Sequence, residues 1–259
     1  MVLTSYGVSI RCLVTAEQPT NIPKKMTATN FFMFLLYMKK PVLSTKRLNI
    51  FMVREPIKEI LLNNKKIGLF VSGGLDSGLL LYLMHFLKEE LGTDNEFKIY
   101  TVSRPNNSLI YTRRVLDWVG DEFDVKYDIN QVGTDQIHHT MQVISGYLEA
   151  FEDTMDIFVL GDTKNPSELQ HGPNRRAIKL ERYAQPWIEI TKDHIVQEVI
   201  DCNLTDLMTI SHSCENPEDG TCGECWHCNE RAWAFYRCGY HDPQQPAREK
   251  IIFELNYTF

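Results

Sequence analysis

The stretch that most constrains the fold is residues 67–77. Ile67-Gly68-Leu69-Phe70-Val71 is a short apolar run that ends at once in Ser72-Gly73-Gly74-Leu75-Asp76-Ser77. A run of this kind, closed by a glycine turn, is expected of a strand buried on both faces of a parallel sheet. Asp76 or Ser77 can then cap a helix carrying Leu79, Leu80, Leu83 and Phe86 as far as Gly92. The two glycines let the backbone turn sharply and approach a ligand closely. Successive N–H groups then point inward at the positive end of the helix, which favours an anion, and Ser72 and Ser77 add hydroxyl donors. No lysine follows the glycines, so the loop is neither GxxxxGK[ST] nor GxGxxG. A structural glycine turn capped by Asp76 is the plainer alternative.

Beyond this unit the pattern repeats. Strands are expected at 97–103, 123–129, 156–160 and 206–211, and helices at 107–119, 136–151 and 193–201, with a first short helix at 56–63. Strands alternating with helices imply an α/β fold, a mostly parallel sheet with helices on both faces. Ligands of such sheets bind outside the carboxyl ends of the strands. The loop at 72–77, the turn after Ser103 and the long polar loop 162–185 fall there. Residues 1–54 read as an N-terminal extension, 55–211 as the sheet domain and 212–259 as a cysteine-rich tail. Translation beginning at Met38 or Met52 is an alternative account of the first segment.

The tail carries Cys214-x7-Cys222-Gly223-Glu224-Cys225-Trp226-His227-Cys228. Four thiols at this spacing suit tetrahedral Zn2+, with the glycine relaxing the knuckle, and leave no open coordination position, so the site would be structural. An iron–sulfur cluster on Cys222, Cys225 and Cys228 is one competitor; His212 or His227 in place of a cysteine is another, although four cysteines leave no need for it. Cys12, Cys202 and Cys238 read as packing residues, and His138 and His139 as surface or core groups. All but one of the seven cysteines lie at Cys202 or beyond. That is not the pattern of a secreted disulfide framework, and it points to a metal site in a reducing, cytoplasmic setting. The net charge of −7 weighs against a broad nucleic-acid-binding face. The apolar run Phe31–Met38 is too short to span a bilayer, so no membrane partner is expected; it could serve a homodimer interface.

The string at 72–77 resembles the SGGxDS signature of the ATP-pyrophosphatase (PP-loop) superfamily, whose adenine nucleotide α-hydrolase-like fold grips the pyrophosphate portion of ATP. Pro186-Trp-Ile-Glu-Ile-Thr-Lys192 resembles that superfamily's segment after the fourth strand, in which the lysine neutralises phosphate charge. Alone, Lys192 would read as a solvated helix lysine. Ser213-Cys214, the run Cys222 to Cys228 with Arg231, then Phe235, Gly239 and Asp242-Pro243 resemble the C-terminal signature of 7-cyano-7-deazaguanine synthases, and the likeness covers roughly residues 66–243. The resemblance implies a ligase that adenylates 7-carboxy-7-deazaguanine, a small-molecule carboxylate, and uses ammonia to reach the nitrile, with ATP, Mg2+ and Zn2+. It implies Asp76, Ser77 and Lys192 as catalytic residues, Ser72 to Ser77 as the nucleotide loop, and Cys214, Cys222, Cys225 and Cys228 as zinc ligands. The segments that would read the acceptor depart from the family, both at Thr101 to Asn107 and at Gly161 to Arg176. Asp162, Lys164, Arg175 and Arg176 are the polar groups placed near the acceptor, where an arginine fork would suit a carboxylate; a solvated loop accounts for each equally well. A tRNA-thiolating sulfurtransferase and a non-catalytic ATP-binding scaffold remain the alternative functions.

Overall fold

The computed structural model describes residues 45–102, 108–133, 139–169, 172, 173, 175, 177–215 and 221–244. The chain divides into two compact units, residues 1–48 and 49–259, and the sheet with the helices that cover it belongs to the second. Cys12, His138, Arg176 and the side chain of His139 lie outside the described residues, as do Phe31–Met38.

Helix α1 (Thr45–Asn63) leads into β1 (Lys66–Phe70), α2 (Leu75–Leu91), β2 (Glu96–Val102), α3 (Ser108–Phe123) and β3 (Ile129–Val132). Then come α4 (His139–Ala150), β4 (Ile157–Leu160), β5 (Tyr183–Ala184), α5 (Lys192–Asp201), α6 (Thr205–Ile210) and α7 (Trp226–Arg237). The strands form one sheet in the order β3-β2-β1-β4-β5, with every neighbouring pair parallel. The α/β expectation therefore holds, and a cysteine cluster follows the sheet. None of the described helices is long and apolar enough to cross a membrane.

Side chains alternate across β1. Gly68 and Phe70 face a core of Tyr100, Val132, Phe158 and, from α4, Tyr147 and Ala150. Gly68 is required there, because a Cβ would lie 2.6 Å from Phe158 Cδ1 and 2.9 Å from Tyr100 Cε2. Ile67 and Leu69, both fully buried, point the other way, and α2, α3, α5 and α6 pack against one another.

Four local expectations fail. The strand expected at 123–129 is instead β3 at Ile129–Val132, because α3 runs on to Phe123. The cap of α2 is Gly74, and Asp76 and Ser77, expected to cap it, lie in its first turn. The strand expected at 206–211 is instead helix α6, because Leu207 and Met208 are buried as adjacent neighbours rather than alternately. The first helix begins at Thr45 and carries Pro56 in its interior, whereas proline is expected near a helix start. Its anchors are long-range. Arg54 Nε donates to Glu198 Oε1 at 2.5 Å, and the Trp187 indole donates to Val53 O at 2.9 Å. Cys202 is buried and receives an Arg54 N–H at 3.1 Å, which fits its packing role.

β2 and β3 lie on one side of β1 and β4 on the other, so the direction of winding reverses between β1 and β4. At such a switch point the loops leaving the two strands part and open a crevice. The loop 72–77 leaves β1 there, and Gly161 and Asp162 leave β4.

Candidate active site

Residues 72–77 form a tight turn whose shape rests on Gly73. Its φ is +78°, and a Cβ would lie 2.5 Å from Thr112 N and 2.6 Å from Tyr111 C, so the turn is wedged against the first turns of α3. Gly74 is the N-cap of α2, with φ −79° and ψ 165°. The amides of Leu75, Asp76 and Ser77 lie in the helix's first turn, beyond reach of any intrahelical carbonyl. Ser77 Oγ closes the loop by accepting Ser72 N–H and donating to Gly74 O, both at 3.2 Å, and it lies 3.2 Å from Ser72 Oγ. From behind, His212 N–H donates to Gly73 O at 2.8 Å, and the His212 ring stacks on Tyr111 at 3.8 Å.

Opposite the loop lies a wall of charge. Trp187, fully buried, fixes the turn before α5. The first residue of α5 is Lys192, only 4% exposed. Its Nζ lies 3.1 Å from Asp76 Oδ2 and 2.9 Å from Glu230 Oε2. Arg175 holds the same Glu230 with both arms, at 2.5 and 3.1 Å, and its NH2 also lies 3.1 Å from His227 Nδ1. The Arg175 guanidinium sits over the Trp226 ring at 4.9 Å. His227 Nε2 reaches Glu215 at 2.9 Å.

Two carboxylates thus face two cations in a buried cluster. Burial pushes the Asp76 carboxyl above its ordinary range although Lys192 draws it down. For Lys192 burial acts downward, but Asp76 and Glu230 outweigh it and keep the amine charged. Burial acts upward on Glu230, and Lys192 and Arg175 hold it below the usual range.

Asp76, Lys192 and Arg175, with Glu230 behind them, border a cleft of about 90 Å³, lined also by Ser72, Gly74, Leu75, Ser77, Tyr111, Asp162, His212 and Cys214 among others. Whole-ligand pockets run to several hundred Å³, so the cleft encloses a phosphate-sized portion of a ligand. Asp76 Oδ1 is buried with no hydrogen-bond partner, and half-buried Asp162 lines the same cleft. Hard oxygen donors of this kind would suit a divalent cation such as Mg2+.

The fold therefore brings Asp76, Ser77, Lys192, Asp162 and Arg175, all expected from the sequence, into one cleft. Lys164 is exposed and lies outside it, its backbone N–H bonded to Ile190 O at 2.8 Å. The fork of Arg175 is occupied from within the protein. Glu230 and Tyr111 carry no reading from the sequence, and His212 and His227, alternatives to a cysteine at the metal, line this cleft instead. For Glu230 a signal existed, since it precedes buried Trp233 and Ala234 by three and four residues and so shares their helix face.

The sulfurs of Cys214, Cys222, Cys225 and Cys228 lie within 4.8 Å of one another, and those of Cys222 and Cys228 are 3.9 Å apart. Four thiolates about 2.3 Å from one tetrahedral ion stand about 3.8 Å apart. A four-iron cluster gives each thiolate its own iron and spreads the sulfurs farther. Cys222 Sγ accepts the backbone N–H groups of Glu224 and Cys225 at 3.4 and 3.3 Å. The set can hold a single metal ion. Cys238 stands apart, donating to Asp193 O at 3.2 Å, and burial pushes its thiol up to about 12.

No protein-family model matches the chain, and neither does any curated protein. Among solved structures it is similar to the U34-tRNA thiolase NcsA from Methanococcus maripaludis with its 4Fe-4S cluster, at 16% identity and TM-score 0.45 over 71% of each chain. It is also similar to NMN synthetase from Francisella tularensis (13% identity, TM-score 0.43, covering 79% of this chain and 89% of that one). A third likeness is to NAD+ synthetase from Burkholderia pseudomallei (16%, TM-score 0.38, covering 60% and 67%). Likenesses this distant leave the reaction to be read from the residues.

Proposed function

We propose that this protein is an ATP-dependent ligase that transfers AMP to a carboxylate and releases pyrophosphate. The observation that carries the reading is the meeting of two features. One is an anion nest at the switch point with no lysine of its own; the other is the lysine supplied across the cleft by Lys192. A loop that hands its cation to a distant segment suits attack at the α-phosphorus, with the β- and γ-phosphates held as the leaving group. In the adenylation step a carboxylate oxygen bonds to the α-phosphorus and the bond to the β-phosphate oxygen breaks. The first-turn amides of α2 and the Ser72 and Ser77 hydroxyls hold the departing pyrophosphate, and Lys192 faces its charge. Mg2+, which Asp76 and Asp162 would hold, shields phosphate charge when bound. Zn2+ on the four thiolates would be structural, and the spacing of the sulfurs favours it over a cluster.

The acceptor is proposed to be 7-carboxy-7-deazaguanine. Ammonia displaces AMP to give the amide, and a second activation by ATP dehydrates that amide to the nitrile. The cysteine signature with Arg231 and Asp242-Pro243 supports this choice. Arg231 is 1% exposed and its Nε donates to both oxygens of Asp242 at 3.0 and 2.9 Å, so the matching positions serve to lock the tail. The test is incubation with 7-carboxy-7-deazaguanine, ammonium and Mg-ATP, following pyrophosphate and nitrile by mass spectrometry. Both should appear. Pyrophosphate without nitrile would overturn the acceptor, and no pyrophosphate with any carboxylate would overturn the adenylation.

A further inference from the structure

One buried acid in the cleft wall has no part in the adenylation chemistry. Glu230 is fully buried and accepts from both cations of the wall, Lys192 at 2.9 Å and Arg175 at 2.5 and 3.1 Å. It stands on α7, whose N-cap is Cys225 and whose first turn carries Cys228. The cysteine cluster and the grip on Lys192 are thus at the start of one helix, two residues apart. Nothing else among the described contacts of Lys192 comes from the tail, since its other carboxylate, Asp76, belongs to the loop.

We propose that Glu230 is a positioning residue that makes the phosphate cleft depend on the metal site. A metal on the four thiolates fixes the first turn of α7, that turn fixes Glu230, and Glu230 holds Lys192 against the loop and fills the fork of Arg175. The proposal rests on the phosphate reading for the purpose of Lys192, but not for the coupling itself.

The geometry gives the coupling a cost on each side. When a buried carboxylate shared by two cations withdraws, Arg175 loses its ion pair and Lys192 keeps only Asp76, and breaking such a pair is strongly unfavourable. Ahead of Arg231, which is itself locked to Asp242, the start of α7 is held by the thiolates and by the cations, and release of either loosens the other. Phe235 and Trp233, buried farther along α7, keep the rest of the helix docked, so the coupling is carried by its first turns.

The experiment reads the accessibility of the Lys192 amine to an acylating reagent, peptide by peptide, in the full chain. In the metal-loaded protein Lys192 should react slowly. In Glu230→Gln, which keeps all four thiols and its metal, it should react about tenfold faster or more, as expected when local protection is lost. Chelation of the native protein should produce the same rise, and chelation of Glu230→Gln should add little to it. Amide protection in β1 should be unchanged in every arm, which separates the effect from global unfolding. Glu230→Asp, which keeps the charge but shortens the reach, should fall between native and Gln. Slow Lys192 in metal-loaded Glu230→Gln would overturn the proposal without reference to chelation. So would slow Lys192 in the chelated native protein, or equal and independent rises from the two changes. Calorimetry with Mg-pyrophosphate, run in parallel, distinguishes coupling from adenylation. If the native protein fails to bind pyrophosphate while Lys192 still responds to chelation and to Glu230→Gln, adenylation falls and the coupling stands.

Discussion

The two sides of the cleft are built on opposite plans. The loop side is six consecutive residues, 72–77, acting through backbone amides and two hydroxyls. The facing side is drawn from Asp162, Arg175, Lys192, His227 and Glu230, which meet only when β4, α5 and α7 are in place. A local nest stores its chemistry in glycine spacing, and beyond β1 and α2 it needs only the backing of α3 and His212. A wall of paired charges stores its chemistry in long-range contacts, and each member is only as well placed as its partners.

The largest effect should separate the two sides outright. If a metal holds the four thiolates, its binding energy is folding energy for the tail. Chelation should then loosen the segment from Cys214 through the start of α7 while β1, the loop and α2 keep their amide protection, as read by hydrogen exchange. Simultaneous loss of protection on both sides would break the comparison. Next in size is Asp76→Asn, which alters the one loop side chain that also belongs to the wall. It removes the partner of Lys192 at 3.1 Å, and pyrophosphate release should fall by roughly 10²–10³-fold, the range seen when one charge-stabilising group is lost. Bound metal at the cysteines should be unaffected. Ser77→Ala, which unfastens the loop, should also lower turnover without metal loss.

The glycines sharpen the loop side alone. Gly73→Ala sets an L-residue at φ +78° with its Cβ 2.5 Å from a backbone nitrogen of α3. It should destabilise by about 2–4 kcal/mol, combining left-handed strain with overpacking, and lower the denaturant midpoint accordingly. At Gly74 the φ is −79° and the nearest atoms to a Cβ are 3.4 and 3.6 Å away, so Gly74→Ala should cost less than about 1 kcal/mol. Equal losses at the two positions would mean that the turn is not wedged by α3.

The same division explains what the amino-acid sequence made legible. The β1–loop–α2 unit can be read because its apolar run, glycine pair and leucine-bearing helix are adjacent and agree with one another. Lys192 becomes legible only through its resemblance to a family segment, since a lysine opening a helix carries no mark of burial. Glu230 is easily passed over beside the cysteines, although an acid three and four residues before buried Trp233 and Ala234 is itself a mark of a buried ion pair. Residues 205–210 mislead because six residues are too few to tell a helix from a strand by period. In the acceptor wall, Arg175 lies in a stretch without regular elements, where spacing carries no orientation.

A smaller effect comes from a buried group on the helix that follows the loop. His85 on α2 is packed against Phe97, Phe123 and Tyr127; burial, with a lesser contribution from Lys88, draws its pKa down from 6.5 to about 4. The unfolded chain then binds a proton between those values that the folded chain does not, so stability is complete above about pH 6.5 and falls as pH drops toward 4. The loss should be about 3 kcal/mol or less, and His85→Phe should remove it. Because neither side of the cleft is involved, the loop and wall variants are best compared above pH 6.5, where this contribution is constant. A pH profile unchanged by His85→Phe would refute the assignment.

The smallest effect is the most pointed test of the wall. Lys164 and Arg175 both lie in the polar stretch after β4 and carry the same charge, yet only Arg175 turns into the cleft. Lys164 is exposed, and its tie to the segment before α5 is through the backbone, which a side-chain change leaves intact. An exposed lysine acts on a site only through screened, long-range charge. Lys164→Ala should therefore change pyrophosphate release by less than about twofold, whereas Arg175→Ala strands Glu230 with Lys192 alone and should cost far more. A large fall for Lys164→Ala would mean that the wall extends beyond the buried cluster and that the acceptor, once bound, recruits the loop surface to meet it.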